Sequence, residues 1–221
     1  PDNSEALEAW LRHLDTLGDR KRHLWLAEQQ IALTTAAPRR ATLLTELASA
    51  RAANGDTAGA VAAHRQLLAE QPTNTAALAA LVDVFVAQGV DWLARNELER
   101  AALHAGSETE RAALLRRCVA TLDASALDAR LHLLRRITLL TPNDPTVLAE
   151  LRELSSSAGR WAEYAATVED LLLNAGTPAR QAELTRELAS VCAGQLGAHD
   201  RAYALLAAGF ADTGKAATAL A

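Results

Sequence analysis

The 221-residue chain has no methionine and opens on Pro1, so a processed or excised piece of a larger protein is expected. It has only two cysteines, Cys118 and Cys192. They lie far apart on apolar helical patterns, which implies two buried, reduced thiols and no disulfide framework. Aromatic residues are 4% of the chain, and glycine and proline are few enough to act as punctuation. No apolar run approaches the roughly 20 residues that a membrane span needs. No secretory signal is visible either; membrane insertion is not expected, and the cytoplasm is the favoured compartment. A basic excess is missing too: the net charge is −5, and lysine occurs only at Lys21 and Lys215. A protein that tracks phosphate backbones is usually basic, so nucleic acid is not an expected partner. The preference for arginine over lysine reads as the codon usage of a GC-rich, bacterial genome. Finally, no stretch alternates with period two, which excludes a sheet.

What remains is half apolar, mostly alanine and leucine, both strong helix formers. The organising stretch is Ala41 to Asn74. Leu44, Leu47, Ala48 and Arg51 fall at i, i+3, i+4 and i+7, one face of a first helix. Gly55 ends that helix where a left-handed residue is needed, and Asp56 or Thr57 caps the next. Ala60, His64 and Leu67 face back toward the first helix, small Ala60 permitting close approach. Pro72 stops the second helix.

An offset of 34 residues repeats this layout without a gap. Leu44, Leu47, Ala48 and Arg51 become Leu78, Leu81, Val82 and Phe85; Gly55 becomes Gly89, Ala60 becomes Ala94, and Pro72 becomes Gly106. The first unit carries Leu7, Trp10, Leu11 and Leu14, a Leu17-Gly18-Asp19 turn, then Leu24 and Ile31 up to a closing Pro38. The unit from Thr109 has Leu115 and Val119, a glycine-less turn at Asp123-Ala124-Ser125 with a lengthened loop, and closes at Pro142. The next has Leu148, Leu151, Gly159, Tyr164, Val168 and Leu171; the last has Leu184, Leu188, Val191, Leu196-Gly197, Tyr203 and Leu206.

This pattern resembles the tetratricopeptide repeat in degenerate form: the Gly-Asp turn, the helix B alanine and the closing proline are present, while Leu44, Arg51 and His64 stand at aromatic positions. The resemblance implies an all-α fold, a right-handed superhelix (an α-α solenoid) of about six helix-turn-helix pairs whose stacking makes one continuous core. The expected units are 3–40, 41–74, 75–108, 109–144, 145–178 and 179–213, with a tail at 214–221, in a single domain. It also implies that helix A of each unit lines a concave groove. Carried over by register, the groove residues are Thr42, Thr45 and Ser49 in the second unit. They are Ala76, Ala79 and Asp83 in the third, and Thr146, Ala149, Glu153 and Ser156 in the fifth. The chaperone-tail-binding branch of the family clamps a C-terminal carboxylate with Lys, Asn and Arg here, and none of the three units has that set. The expected role is a non-enzymatic scaffold that binds a protein or peptide. The alternatives are a spacer or self-association module and, remotely, a cryptic enzyme.

No chemistry-bearing motif competes with this reading. Gly209 to Lys215 fits the G-x-x-x-x-G-K spacing of a phosphate loop, but a helix precedes it and Ala216 follows the lysine, so a helix ending at Gly209 or Gly214 is expected instead. His13, His23, His64, His104, His132 and His199 are too dispersed for metal-ligand spacing, and no metal or cofactor is expected. Arg39-Arg40, Arg116-Arg117 and Arg135-Arg136 lie among acids, and read either as solvated helix faces or as an anion-binding stripe. Trp10 fits the core, and Trp92 and Trp161, each opening a helix B, are expected to plug the joints between units.

Overall fold

An apolar residue every three or four positions makes a helix with one sticky stripe, and glycine at fixed intervals folds such helices back on one another. The computed structural model describes residues 20–219, and in these it contains eleven α-helices and no strand. The chain divides into two compact units, residues 1–105 and 106–221. The first holds α1 (Arg20–Leu33), α2 (Ala37–Ala53), α3 (Thr57–Glu70), α4 (Thr75–Ala87) and α5 (Asp91–Leu103). The second holds α6 (Glu108–Ala120), α7 (Leu127–Leu140), α8 (Pro145–Ala158), α9 (Trp161–Leu173), α10 (Pro178–Gly194) and α11 (His199–Ala219). The expected first helix, with Leu7, Trp10, Leu11, Leu14 and the Gly18 turn, lies outside the described residues.

Within each unit the helices pair in sequence: α2 with α3 and α4 with α5 in the first, α6 with α7, α8 with α9 and α10 with α11 in the second. The turns are the glycines that the spacing predicts. Gly55, Gly89, Gly159 and Gly197 all have positive φ, between 64° and 77°, and no other residue type does among the described residues. A side chain at φ near +70° would press on its own carbonyl, so glycine is the cheap solution. The turn without glycine, between α6 and α7, spends six residues (121–126) where α2–α3 spends three (54–56), and stays at negative φ.

The helix starts are capped as their sequences dictate. Asp56 accepts from the Gly59 amide at 2.9 Å, Asn74 from Ala77 at 3.0 Å, Ser107 from Glu110 at 3.1 Å and Thr177 from Arg180 at 3.3 Å. At α6, Glu110 also reaches back to accept from the Gly106 amide at 2.9 Å, which nearly completes a capping box.

The core follows the 34-residue pattern. In α2, Leu43, Leu44, Leu47 and Ala48 are buried; in α4, Ala77, Leu78, Leu81, Val82 and Phe85. Ala60 and Ala94 are almost wholly buried at the matching point of α3 and α5. In the second unit Leu115, Leu151, Leu184 and Leu188 hold the same place, with Tyr164 as the largest buried side chain. Each buried leucine contributes roughly 1.5–3 kcal/mol, so these stripes dominate stability. Both cysteines are fully buried, and burial pushes the Cys192 thiol up from its ordinary value.

Several expectations change. Pro38 does not close a helix: α1 ends at Leu33, and Pro38 sits in the first turn of α2, where its missing N–H costs nothing. The helix does not end at Gly209 or Gly214, because α11 runs unbroken from His199 to Ala219. Its backbone N–H groups are therefore committed to the helix and cannot cradle a phosphate. Gly209 serves packing there, a Cβ at this point lying 3.3 Å from the Thr185 side chain of α10. Trp92 is not a plug: it is 56% exposed, because the second position of α5 turns outward. Trp161 does pack, edge-on to Tyr164 with ring centroids 6.0 Å apart. On α11 it is Ala202 that is buried, while Tyr203 and Leu206 face outward. On α8, Val147 is buried and Leu148 only half so.

Three measurements check this packing. Ala60→Leu forces a larger side chain between α2 and α3 and should destabilise by about 1–3 kcal/mol in urea unfolding; an unchanged midpoint would show the register to be wrong. Trp92→Ala should cost less than about 1 kcal/mol, against the roughly 3–5 kcal/mol of a buried tryptophan. His64 is buried in α3, its Nδ1 has no protein partner, and burial lowers its pKa. The unfolded chain therefore binds a proton near the ordinary value of about 6.5 more readily than the folded one, and stability is lost as pH falls through that value. Unfolding at pH 7.5 and 5.5 should show a larger loss in the wild type than in His64→Leu.

Candidate functional site

A repeat helix that buries one stripe leaves the opposite stripe for solvent or for a partner. On α2 the buried side is Leu43, Leu44, Leu47 and Ala48, and Thr42, Thr45 and Ser49 lie exposed across from it. Their hydroxyls turn back on the helix: Thr42 donates to the Pro38 carbonyl at 3.2 Å, Thr45 to Ala41 at 2.9 Å and Ser49 to Thr45 at 3.0 Å. The donors of this face are thus spent, and it presents methyl groups and hydroxyl lone pairs. On α4, Ala76 and Asp83 are exposed and Ala79 is half-buried. On α8, Ala149, Glu153 and Ser156 are exposed. Thr146 has another duty: both its amide and its hydroxyl donate to Asp144 Oδ1, at 2.9 and 2.6 Å, capping α8. Those two bonds hold the Asp144 carboxyl below its ordinary value.

One arginine of each pair is tied to an acid on a partly exposed helix face. Arg40 bonds Glu70, Arg116 bonds Glu150, and Arg135 reaches Asp170 at 3.2 Å. The last two belong to a wider set that joins successive repeats inside each unit. It comprises Arg65–Glu97 at 2.8 Å in the first unit, and Arg116–Glu150, Arg135–Asp170, Arg152–Glu187, Arg160–Asp128 and Arg201–Glu169 in the second. Their sequence separations run from 32 to 35, one repeat length. The charges stitch helix A to the next A, or B to the next B. Arg51, which spoils the aromatic position, does related work: it pairs with Glu28 on α1 and donates to the Gly59 carbonyl of α3 at 2.9 Å.

The register did not carry the groove assignment to the last repeat, and there the second unit has a pocket. It opens between the A helices α8 and α10, with a volume of about 390 Å³. Tyr164 lies at its base, on α9, which packs against both. Ala149 is the one expected groove residue among its lining side chains. The Tyr164 hydroxyl donates to Glu187 at 2.7 Å, and burial followed by this carboxylate pushes the phenol well above its ordinary pKa. Arg152 approaches the same carboxylate at 3.4 Å. Arg180 donates to Glu183 and to the Pro142 carbonyl, both at 2.8 Å. The sequence signal was present, since Arg180, Glu183 and Glu187 fall at i, i+3 and i+7 on one face of α10.

No protein-family model matches the chain, and no curated protein does. Solved structures do resemble it. A tetratricopeptide repeat protein from Parabacteroides merdae is 16% identical, over 95% of this chain and 79% of that one, with a TM-score of 0.43. A MamA protein is 18% identical over 80% and 94%, at 0.37, and Pseudomonas aeruginosa pilF is 17% identical over 91% and 88%, at 0.39. The chain is tetratricopeptide-like in its own terms: helical hairpins one repeat apart, turned on left-handed glycines.

The distinction between stitching and binding charges is open to direct test. In the second unit Arg135→Gln removes one stitch between α7 and α9, both partners being partly exposed. It should lower stability by no more than about 1 kcal/mol at low salt, with the difference shrinking in high salt.

Proposed function

We propose that the chain is a non-enzymatic scaffold that holds a protein or peptide partner against the exposed faces of its A helices. One observation carries this reading. Of the ten side chains that the repeat register places on those faces, nine are exposed and Ala79 is half-buried. They are short, so a partner's backbone or helix can come close without displacing anything. The acids Asp83 and Glu153 then supply orientation, as rim charges do at interfaces. A helix laid along an A-helix face is one mode that such a surface accepts.

A second reading, a spacer or self-association module, draws on the back-bonded hydroxyls of Thr42, Thr45 and Ser49, which leave these three groove positions with no hydroxyl to donate. Light scattering across concentration separates the two, since a self-associating module will not stay monomeric.

The test is cross-linking and capture from lysate of the source organism with two variants. Asp83→Arg plus Glu153→Arg reverses the charge of the A-helix faces and should lose the captured partner. Leu173→Arg, at an exposed position on a B helix, should keep it. Equal capture by both variants would count against the A-helix faces.

A further inference from the structure

The pocket between α8 and α10 has a composition unlike the rest of the A-helix surface. Three arginines line it, Arg152, Arg180 and Arg186, against two acids, Glu183 and Glu187. The formal balance is therefore one positive charge, in a chain whose net charge is −5. The acids are already occupied. Glu187 receives the Tyr164 hydroxyl and Arg152, and Glu183 receives Arg180. The arginines are not saturated in return: Arg152 makes only the long 3.4 Å approach, and the buried Nε of Arg180 has no protein partner. That Nε is shielded from solvent, so an incoming anion meets the guanidinium ends of half-exposed Arg152 and of Arg186, whose Nε already bonds the Ala182 carbonyl at 3.1 Å. Leu148, Ala149 and Leu184 make the remaining wall apolar.

We propose that this pocket seats one glutamate side chain of a partner segment. The two methylenes of glutamate match the Leu148 and Leu184 wall, and its carboxylate takes the bonds that the arginines have to give, in the charge-assisted geometry that guanidinium favours. A balance of one positive charge suits a monoanion and leaves a phosphate dianion overcharged. This inference rests on the scaffold reading and supplies the chemistry of one contact within it.

The experiment is NMR titration of the full ¹⁵N-labelled chain, following arginine Nε–H signals and the amides of α8 and α10. The probe is N-acetyl-glutamate α-amide. The comparison compounds are N-acetyl-glutamine α-amide, N-acetyl-alanine with its free terminal carboxylate, and inorganic phosphate. The expected result is a saturable shift of the Arg152 Nε–H with the glutamate probe, and binding about tenfold weaker for each comparison compound. Arg180→Gln should abolish the shifts of the α8 and α10 amides. Because Arg180 also anchors Pro142, Arg186→Gln serves as a second variant and should weaken the probe on an intact fold. Several results would overturn the proposal: no shift with the glutamate probe, equal response to the glutamine compound, unchanged binding in Arg186→Gln, or a preference for N-acetyl-alanine or phosphate. Failure here leaves the capture experiment on Asp83 and Glu153 untouched, so the two readings fall separately.

Discussion

A helical hairpin of 34 residues cannot cover its own apolar stripe; only the next hairpin can. The rest of the structure follows from that constraint. Leu78, Leu81, Val82 and Phe85 are buried because α4 lies against both α3 and α5, and each hairpin in a unit repeats the arrangement with its own neighbours. Small residues at Ala60 and Ala94 set how near the helices come, and left-handed glycines set where they turn. Nothing in this scheme requires a bulky or reactive side chain on the outward face of helix A, so that face is left to alanine, serine, threonine and a few acids.

The charges obey the same periodicity. An arginine on one repeat meets a carboxylate on a neighbouring repeat, at separations of 32 to 35 residues. Most of these pairs are exposed and individually weak. Their value lies in register, because a slip of one position would set each arginine against the wrong neighbour. Arg65 shows the fullest version: it bonds buried Glu97 on α5 and lies over the Phe85 ring of α4, with its guanidinium carbon 5.6 Å from the centroid. Glu97 takes Arg100 as a second partner, so a carboxylate only 6% exposed is fully satisfied. The pocket at α8 and α10 departs from the scheme, since there the arginines outnumber the acids they pair with.

Local features were legible in the sequence. The leucine stripes (Leu148 and Leu206 apart), the glycine turns, the Asp56 cap and the lengthened glycine-less loop each depend on a few neighbouring residues, and among the described residues they are found where the spacing puts them. Features that depend on helix phase or on distant partners were not. Pro38 reads equally well as a stop or as a first-turn residue, and only the end of α1 at Leu33 decides. Trp92 and Tyr203 differ from buried residues by about 100° of helix rotation, which a degenerate repeat does not fix. Arg116 and Arg135 read either as solvated faces or as a basic stripe because their acids sit a whole repeat away. The pocket was missed for a related reason: it belongs to two A helices at once, and the Arg180, Glu183 and Glu187 stripe of α10 does not reveal that Arg152 of α8 lies across from it.

The stacking of successive hairpins is tested most directly by a double-mutant cycle on Arg65 and Glu97, which joins α3 to α5 across one repeat. Urea unfolding of the wild type, Arg65→Gln, Glu97→Gln and the double variant gives their coupling. A buried carboxylate bonded at 2.8 Å across the repeat requires a coupling of about 1 kcal/mol or more. Strictly additive effects would mean that the two side chains do not meet, and that the hairpins of the first unit are not stacked in this register.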